Sequence, residues 1–78
     1  MSVYTRDDLP EIEEGDTLQM KSDTEEYNAT VESVRDMGAS DAFTVTIDGT
    51  SRKMFADSKS VELLLNEYVF IREVTVVN

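Results

Sequence analysis

The sequence predicts a mainly β domain: a small antiparallel curled sheet or barrel of four or five strands, with one short helix before the last strand. Apolar and polar residues alternate along several segments, which is the pattern of half-buried strands. The dipeptide Asp48-Gly49 stands between two of these segments and favours a tight hairpin. The connections are too short for parallel crossovers, and 78 residues are enough for one domain only.

The first predicted strand covers residues 17–21 and the second covers residues 27–34. Their alternation places the following side chains on the core side: Leu18, Met20, Tyr27, Ala29 and Val31. Val34 breaks the two-residue period, because a strict alternation would turn Ser33 inward instead. A β-bulge near residues 32–34 would return Val34 to the core and would bend the strand, as small barrels require.

The clearest hairpin of the chain surrounds Asp48-Gly49. Its first strand covers residues 43–47, with Phe43, Val45 and Ile47 on one side. A two-residue type I′ turn needs positive φ at both central positions, which Asp-Gly tolerates. The return strand has two possible inward sets, Ser51, Lys53 and Phe55 or Arg52, Met54 and Ala56.

Residues 57–68 are predicted to form the short helix. Val61, Leu64, Leu65 and Tyr68 have the i, i+3, i+4, i+7 spacing of one helical face, and Asp57 is a suitable N-cap. Leu63 and Leu65 would suit a strand equally well. The last predicted strand follows at residues 69–77, which are rich in β-branched side chains.

The predicted domain organisation is an acidic N-terminal arm, residues 1–16, followed by a single small β-barrel domain, residues 17–78. The arm holds the only proline, Pro10, and its apolar residues show no clear period. Regular alternation begins after Gly15-Asp16.

Charge is the most unusual property of the composition. Asp and Glu total 17 against 7 Lys and Arg, a net charge of −10, and residues 1–26 hold nine of the acids. Self-repulsion opposes compact folding at ordinary ionic strength, whereas near 1 M salt the Debye length falls to about 3 Å. Acid excess with only three lysines is similar to the composition of halophilic archaeal proteins, so a salt-rich environment is expected.

Several classes of location and chemistry are argued against by the composition. No segment has the roughly 20 continuous apolar residues of a membrane span, and residues 1–16 lack the features of a signal peptide, so a cytoplasmic location is expected. The chain has no Cys and no His, which removes thiol nucleophiles, His-dependent triads and the usual ligands of zinc or haem. We therefore expect no enzyme, no cofactor and no dedicated metal site.

Two surfaces are candidates for binding. The terminal strand is apolar and hazardous as a free edge, so it could pair with a second copy or with another protein. We predict a protein interface there at Phe70, Val74 and Val76, with a homodimer as one possible form.

The alternative surface is a nucleic-acid patch at Arg52, Lys53 and Phe55. Small barrels stack bases on aromatic residues that lie beside cations. The net charge of −10 repels phosphate, so nucleic acid is the less favoured partner. By parity most of the six aromatic residues are expected to face the core.

Residues 15–20, GDTLQM, and residues 29–34, ATVESV, resemble the first two strands of SH3-like small barrels. With the acidic composition, the chain is similar to small haloarchaeal proteins of that architecture. The resemblance implies an SH3-like barrel over residues 15–77. It implies no particular function, because members of that class bind peptides, RNA or methylated residues.

Overall fold

The computed structural model describes residues 4–77, and almost all of its regular structure is β. The strands are β1 Thr17–Lys21, β2 Glu26–Asp36, β3 Asp41–Ile47, β4 Thr50–Ala56, β5 Val61–Leu64, β6 Tyr68–Ile71 and β7 Glu73–Val77. A 3-10 turn, Arg6–Asp8, precedes them. The strands form one antiparallel sheet in the order β6-β5-β4-β3-β2-β1-β7. The predicted mainly β, antiparallel fold class is therefore confirmed.

The sheet curls into a half-barrel because its two end strands are consecutive in the chain. Only Arg72 separates β6 from β7, yet β6 pairs with β5 and β7 pairs with β1. The chain can satisfy both pairings only if the sheet bends round until its ends approach. The backbone N–H of Arg72 donates to the carbonyl of Lys21 at 2.7 Å, and its guanidinium pairs with Asp23. These contacts hold the kink against the β1–β2 turn.

The predicted hairpin between β3 and β4 is confirmed. Ile47 pairs with Thr50, which leaves a two-residue loop, and φ is 51° at Asp48 and 78° at Gly49. Positive φ at both positions is the requirement of the type I′ turn, and glycine meets it without steric strain. On the return strand Met54 and Ala56 are buried, so the second of the two predicted inward sets is the one that faces the core.

The predicted bulge in β2 is confirmed as well. The register with β3 shifts between Val31 and Ser33, so that Val31 faces Val45 and Val34 faces Phe43. The shift puts Val34 on the same side of the strand as the core residues, but Val34 is 42% exposed, so the expectation that Val34 joins the core is wrong. The bulge thus bends β2 where the sheet curls away from its centre.

The predicted helix at residues 57–68 is wrong, and so is the predicted number of strands. Residues 61–64 form β5, whose backbone pairs with residues 53–56 of β4. Asp57 does cap a turn: its Oδ1 accepts the N–H groups of Lys59 and Ser60 at 2.8 and 2.9 Å. An Asx turn uses the same side-chain geometry as a helix N-cap, so the capping signal was real but belonged to a turn.

The extra strands have two sources. Strand β5 replaces the helix, and the predicted terminal strand is divided at Arg72 into β6 and β7. Together these changes raise the number of strands from the expected four or five to seven among residues 4–77.

The core lies on the inner face of the curled sheet, where thirteen apolar side chains of residues 4–77 are buried. They are Leu18, Met20, Ala29, Val31, Phe43, Val45, Ile47, Met54, Ala56, Val61, Leu63, Ile71 and Val74. Every strand contributes at least one of them, so the core is continuous across the sheet.

The described part of the N-terminal arm packs on this core. Tyr4, Leu9 and Ile12 are partly buried against it. The N–H of Gly15 donates to the carbonyl of Val31, and the N–H of Val31 donates to the carbonyl of Asp16, each at 2.8 Å. These bonds lead the arm directly into β1. Among residues 4–77 there is no helix long and apolar enough to cross a membrane.

Candidate binding face

The outer face of the sheet carries three aromatic side chains, Phe55, Tyr68 and Phe70, which we call the aromatic face. Tyr68 is 56% exposed and Phe70 is 58% exposed, whereas Phe55 is partly buried. The rings of Phe55 and Tyr68 lie 6.4 Å apart between centroids and are tilted by 56°. The expectation that most aromatic residues face the core is wrong, because these three of the six lie on the outer face. Among residues 4–77 Phe43 is buried in the core, and Tyr4 and Tyr27 are partly buried against it.

Strand register arranges the outer face as two rows that cross five strands. One row consists of the directly opposed residues Arg35, Ala42, Phe55, Glu62 and Phe70. The neighbouring row consists of Ser33, Thr44, Lys53, Leu64 and Tyr68. Opposed residues of an antiparallel pair point to the same side of a sheet, so each row lies on one surface. The rows are basic at the β2 to β4 end and aromatic at the β6 end.

A pocket of about 340 Å³ opens at the basic end of these rows, and we call it the basic pocket. Its walls are Ser33, Arg35, Met37, Ala42, Thr44, Lys53 and Phe55. The ammonium of Lys53 donates to the hydroxyl of Thr44 at 2.8 Å. Within residues 4–77 neither Arg35 nor Lys53 forms an ion pair with a carboxylate. The pocket therefore presents two cations beside an aromatic ring and a thioether.

The predicted nucleic-acid patch is divided between the two faces of β4. Lys53 and Phe55 lie together in the basic pocket, but Arg52 points to the opposite side. Arg52 is opposed to Val45, whose side chain is fully buried, so Arg52 follows the core-facing parity and is partly buried. Arg35, which sequence reasoning missed, occupies the place beside Lys53 that Arg52 was expected to take.

The three residues of the predicted protein interface do not share one surface. Phe70 is exposed on the outer face of β6, Val74 is only 4% exposed in the core, and Val76 is partly buried against the core. Among the described strands β7 pairs with β1 alone, which leaves its other edge without a strand partner. The hydroxyl of Tyr4 donates to the carbonyl of Val74 at 3.4 Å, so the arm lies against β7 at that position.

Tyr68 completes the aromatic face, and the helical reading of residues 57–68 concealed it. On a helix Tyr68 would have packed inward with Val61 and Leu64. On β6 Tyr68 and Ile71 lie on opposite sides of the strand, so Ile71 faces the core and Tyr68 points outward. A two-residue period over Tyr68, Val69, Phe70 and Ile71 was the available signal, since it puts the two aromatic rings on one side.

A second concave region, of about 350 Å³, lies between the arm and the β2–β3 hairpin. Its apolar floor includes Leu9, Ile12 and Phe43, and its rim carries Asp36 and Asp41. The rim is occupied by an internal ion pair, because Arg6 Nε donates to Asp41 Oδ2 at 2.9 Å. This region joins the arm to the sheet.

In the described part of the chain two titratable groups have shifted pKa values, and each shift has a structural cause. The pKa of Tyr4 is raised, first by burial and then by the negative charges of Asp8 and Glu73. The pKa of Asp57 is lowered, chiefly by the backbone N–H groups of Lys59 and Ser60 that bond its carboxylate. Both groups serve local packing and turn structure. No cluster of three or more carboxylates close enough to hold a metal ion occurs in the described part of the chain.

Comparisons with protein-family models, with curated proteins and with solved structures found no significant match to this chain. Only the chemistry of the outer face therefore bears on the function. Its chemistry suits contact with a second molecule: aromatic rings supply apolar area, and two cations supply directional charge.

Proposed function

We propose that this protein is a non-catalytic interaction domain that binds an extended segment of a partner protein through the aromatic face. The observation that carries the proposal is the exposure of Tyr68 and Phe70 beside Phe55 on one side of the sheet. Burying an exposed Phe side chain is worth about 1.5–3 kcal/mol, so rings that are more than half exposed hold about 1–2 kcal/mol each for a partner to gain. Exposed aromatic groups of this kind are typical of interface centres.

The size of the domain favours a short segment over a second globular surface. The accessible surface totals 4969 Å². A standard protein interface covers about 800 Å² on each partner, which would be roughly a sixth of that surface. The two outer rows span only five short strands, which suits a peptide that crosses them. In this proposal the domain works in a salt-rich cytoplasm, where screening allows acidic proteins to meet.

The direct test is selection from a library of random 12-residue peptides displayed on phage, with the purified domain as bait. We expect a family of related peptides whose binding falls at least tenfold when Tyr68→Ser and Phe70→Ser are combined. Both side chains are exposed, so the fold should persist, and circular dichroism checks that it does. Val77→Ser is the matched control, because Val77 is 47% exposed on β7, away from the aromatic face.

Two results would overturn the proposal. One is that wild-type protein enriches no peptide family. The other is that the Tyr68→Ser, Phe70→Ser protein enriches the same family with equal affinity.

Self-association is a second candidate, because among residues 4–77 one edge of β6 and one edge of β7 have no strand partner. A second copy could add its own strand to either edge. Sedimentation in 2 M salt tests this candidate: a dimer that dissociates on Val76→Lys substitution with the fold retained would support pairing through β7. A wild-type monomer at high concentration would exclude it.

A single-stranded nucleic acid remains the alternative ligand of the same face, since Lys53 and Phe55 lie together there. Titration with an oligothymidine of 15 nucleotides in the same buffer decides the matter. Saturable binding that Phe55→Ser abolishes would favour this alternative.

A further inference from the structure

The basic pocket stands out because it departs from the charge of the rest of the chain. Acids outnumber bases by 17 to 7 overall, yet the walls of this pocket hold two bases and no acid among the described residues. The concave region beside the arm holds Glu11, Asp36 and Asp41 with one base. Another shallow region at the β1–β2 turn also holds three acids, Asp23, Glu25 and Glu26, with one base.

From this contrast we infer that the basic pocket binds a carboxylate side chain, Asp or Glu, of the segment that lies on the aromatic face. The inference rests on the proposed function and names the chemistry of the partner. Arg35 and Lys53 would donate to the carboxylate, and Phe55 and Met37 would contact the methylene groups behind it. Lys53 already donates one of its N–H groups to Thr44, which holds the ammonium at the pocket and leaves two further donors.

Strand spacing sets the distance between the two ends of the bound segment. The centre of the pocket lies over β3, and Tyr68 and Phe70 lie on β6, three strands away in the sheet order. Neighbouring strands are about 4.8 Å apart, so the two sites are roughly 14 Å apart. An extended chain advances about 3.3 Å per residue, which places the acidic residue about four positions from the apolar residue that contacts the aromatic rings.

Glu62 limits which residues the bound segment can carry at its centre, because Glu62 lies in the same row between Phe55 and Phe70. A second carboxylate in the middle of the segment would be placed near it and repelled. The segment should therefore carry its acid at one end and uncharged or basic residues at the centre.

The size of the domain and its two clustered cations favour a carboxylate over a polynucleotide as the ligand of the basic pocket. The domain measures 30 × 29 × 25 Å. A strand in B-form geometry carries a phosphate about every 3.4 Å of helix axis and an extended single strand carries fewer, so a strand that crossed the domain would still bring several negative charges to a surface with two clustered cations. One carboxylate needs only those two cations, and near 1 M salt, where the Debye length is about 3 Å, the more distant acids are screened.

The experiment continues from the peptide selection and compares three proteins. We expect the family enriched by wild-type protein to place Asp or Glu three to five positions from an aromatic or aliphatic residue. Changing that acid to its amide in the synthetic peptide should weaken binding about tenfold. The double variant Arg35→Gln, Lys53→Gln should bind the acidic and amide peptides equally, because the charge recognition is lost while the aromatic contacts remain.

Arg52→Gln is the matched control, since Arg52 lies on the same strand but on the other face, and this variant should keep the preference for the acidic peptide. An enriched family without an acid, or a preference that survives Arg35→Gln, Lys53→Gln, would overturn the inference and leave the proposed function intact. Failure to enrich any family would overturn both. Tighter binding of the 15-nucleotide oligothymidine than of the acidic peptide would also overturn it.

Discussion

Arg6 ties the N-terminal arm to the sheet, and its replacement by Met should destabilise the whole domain. Arg6 Nε donates to Asp41 Oδ2 at 2.9 Å, and Nη1 donates to the carbonyl of Gly38 at 2.7 Å. Asp36 lies 3.7 Å from Nη2. The Arg6 side chain is only 29% exposed and that of Asp41 only 22%, so these contacts are shielded more than surface ion pairs are.

The magnitude follows from two hydrogen bonds that involve a charged group. Each such bond is worth about 1.5–3 kcal/mol in shielded positions, and partial exposure here reduces that range. Arg6→Met keeps most of the apolar stem and removes the guanidinium, so we expect a loss of about 2–3 kcal/mol. A domain of this size loses about 4–8 °C in Tm per kcal/mol, which corresponds to a decrease of roughly 10–20 °C.

Urea unfolding followed by circular dichroism measures the free energy of unfolding directly. Lys21→Met is the matched control, because it removes one positive charge from an exposed position with no ion pair among residues 4–77, and it should cost less than about 0.5 kcal/mol. A double-mutant cycle with Asp41→Asn should give a coupling of about 1 kcal/mol or more. Equal losses for Arg6→Met and Lys21→Met would refute the reasoning and make the arm a separable appendage.

Three further predictions concern individual side chains. Tyr4 has a raised pKa, so its neutral phenol stabilises the fold below pH 10. That stabilisation is lost as the pH rises through the pKa of Tyr4 in the folded state. Unfolding curves of Tyr4→Phe between pH 8 and 11.5 should lack this alkaline loss of stability. Asp57 has a lowered pKa, so its contribution to the free energy of unfolding is present above pH 3.8 and is lost as the pH falls through its pKa in the folded state. Asp57→Ala should abolish that loss of stability at acid pH. An unchanged dependence of stability on pH in the variant would count against this reasoning. Leu63 is fully buried on β5, so Leu63→Ala should cost about 2–5 kcal/mol in chemical unfolding, whereas Leu64→Ala, on the partly exposed outer side, should cost clearly less. Similar losses for the two leucines would contradict the strand register.

Local patterns predicted the parts of the fold that local interactions decide. The Asp48-Gly49 turn was predictable because few dipeptides tolerate positive φ at both positions. The bulge in β2 was predictable because Val34 broke an otherwise regular alternation. In both places the signal and the structure lie within a few residues of each other.

The region from residue 57 to residue 68 was mispredicted because distant residues decide its structure. Its apolar side chains satisfy a helical period and a strand period equally, and Asp57 can cap either a helix or a turn. Pairing with β4 on one side and β6 on the other supplies the backbone hydrogen bonds that select the strand. The sequence of residues 57–68 alone does not indicate that β4 and β6 pair with this segment.

The candidate site was half visible in the sequence for the same reason. Lys53 and Phe55 were identified as neighbours on one strand, but the choice between two parities of β4 decided whether Arg52 joined them. Arg35 and Phe70 reach the same face through register across β3 and β5, which is a property of the whole sheet. Sequence reasoning therefore found the residue types and missed which of them share a surface.

Folding brings the acidic side chains of this chain close together, so the salt concentration should change the free energy of unfolding. The Cα radius of gyration is 11.2 Å, whereas an unfolded chain of this length has a radius of roughly 27 Å. Two carboxylates 10 Å apart repel by about 0.4 kcal/mol in water, and folding brings many pairs of the 17 acids to such distances.

We expect the free energy of unfolding to rise between 0.1 and 1 M KCl and then to level off, because the Debye length falls from about 10 to 3 Å over that range. The variant Asp7→Asn, Glu14→Gln, changed at two exposed positions of the arm, should gain stability at 0.1 M and match the wild type at 2 M. Equal stability of the wild type in dilute buffer and in 2 M KCl would show that repulsion is already balanced within the fold, and the salt-rich setting would lose its physical basis.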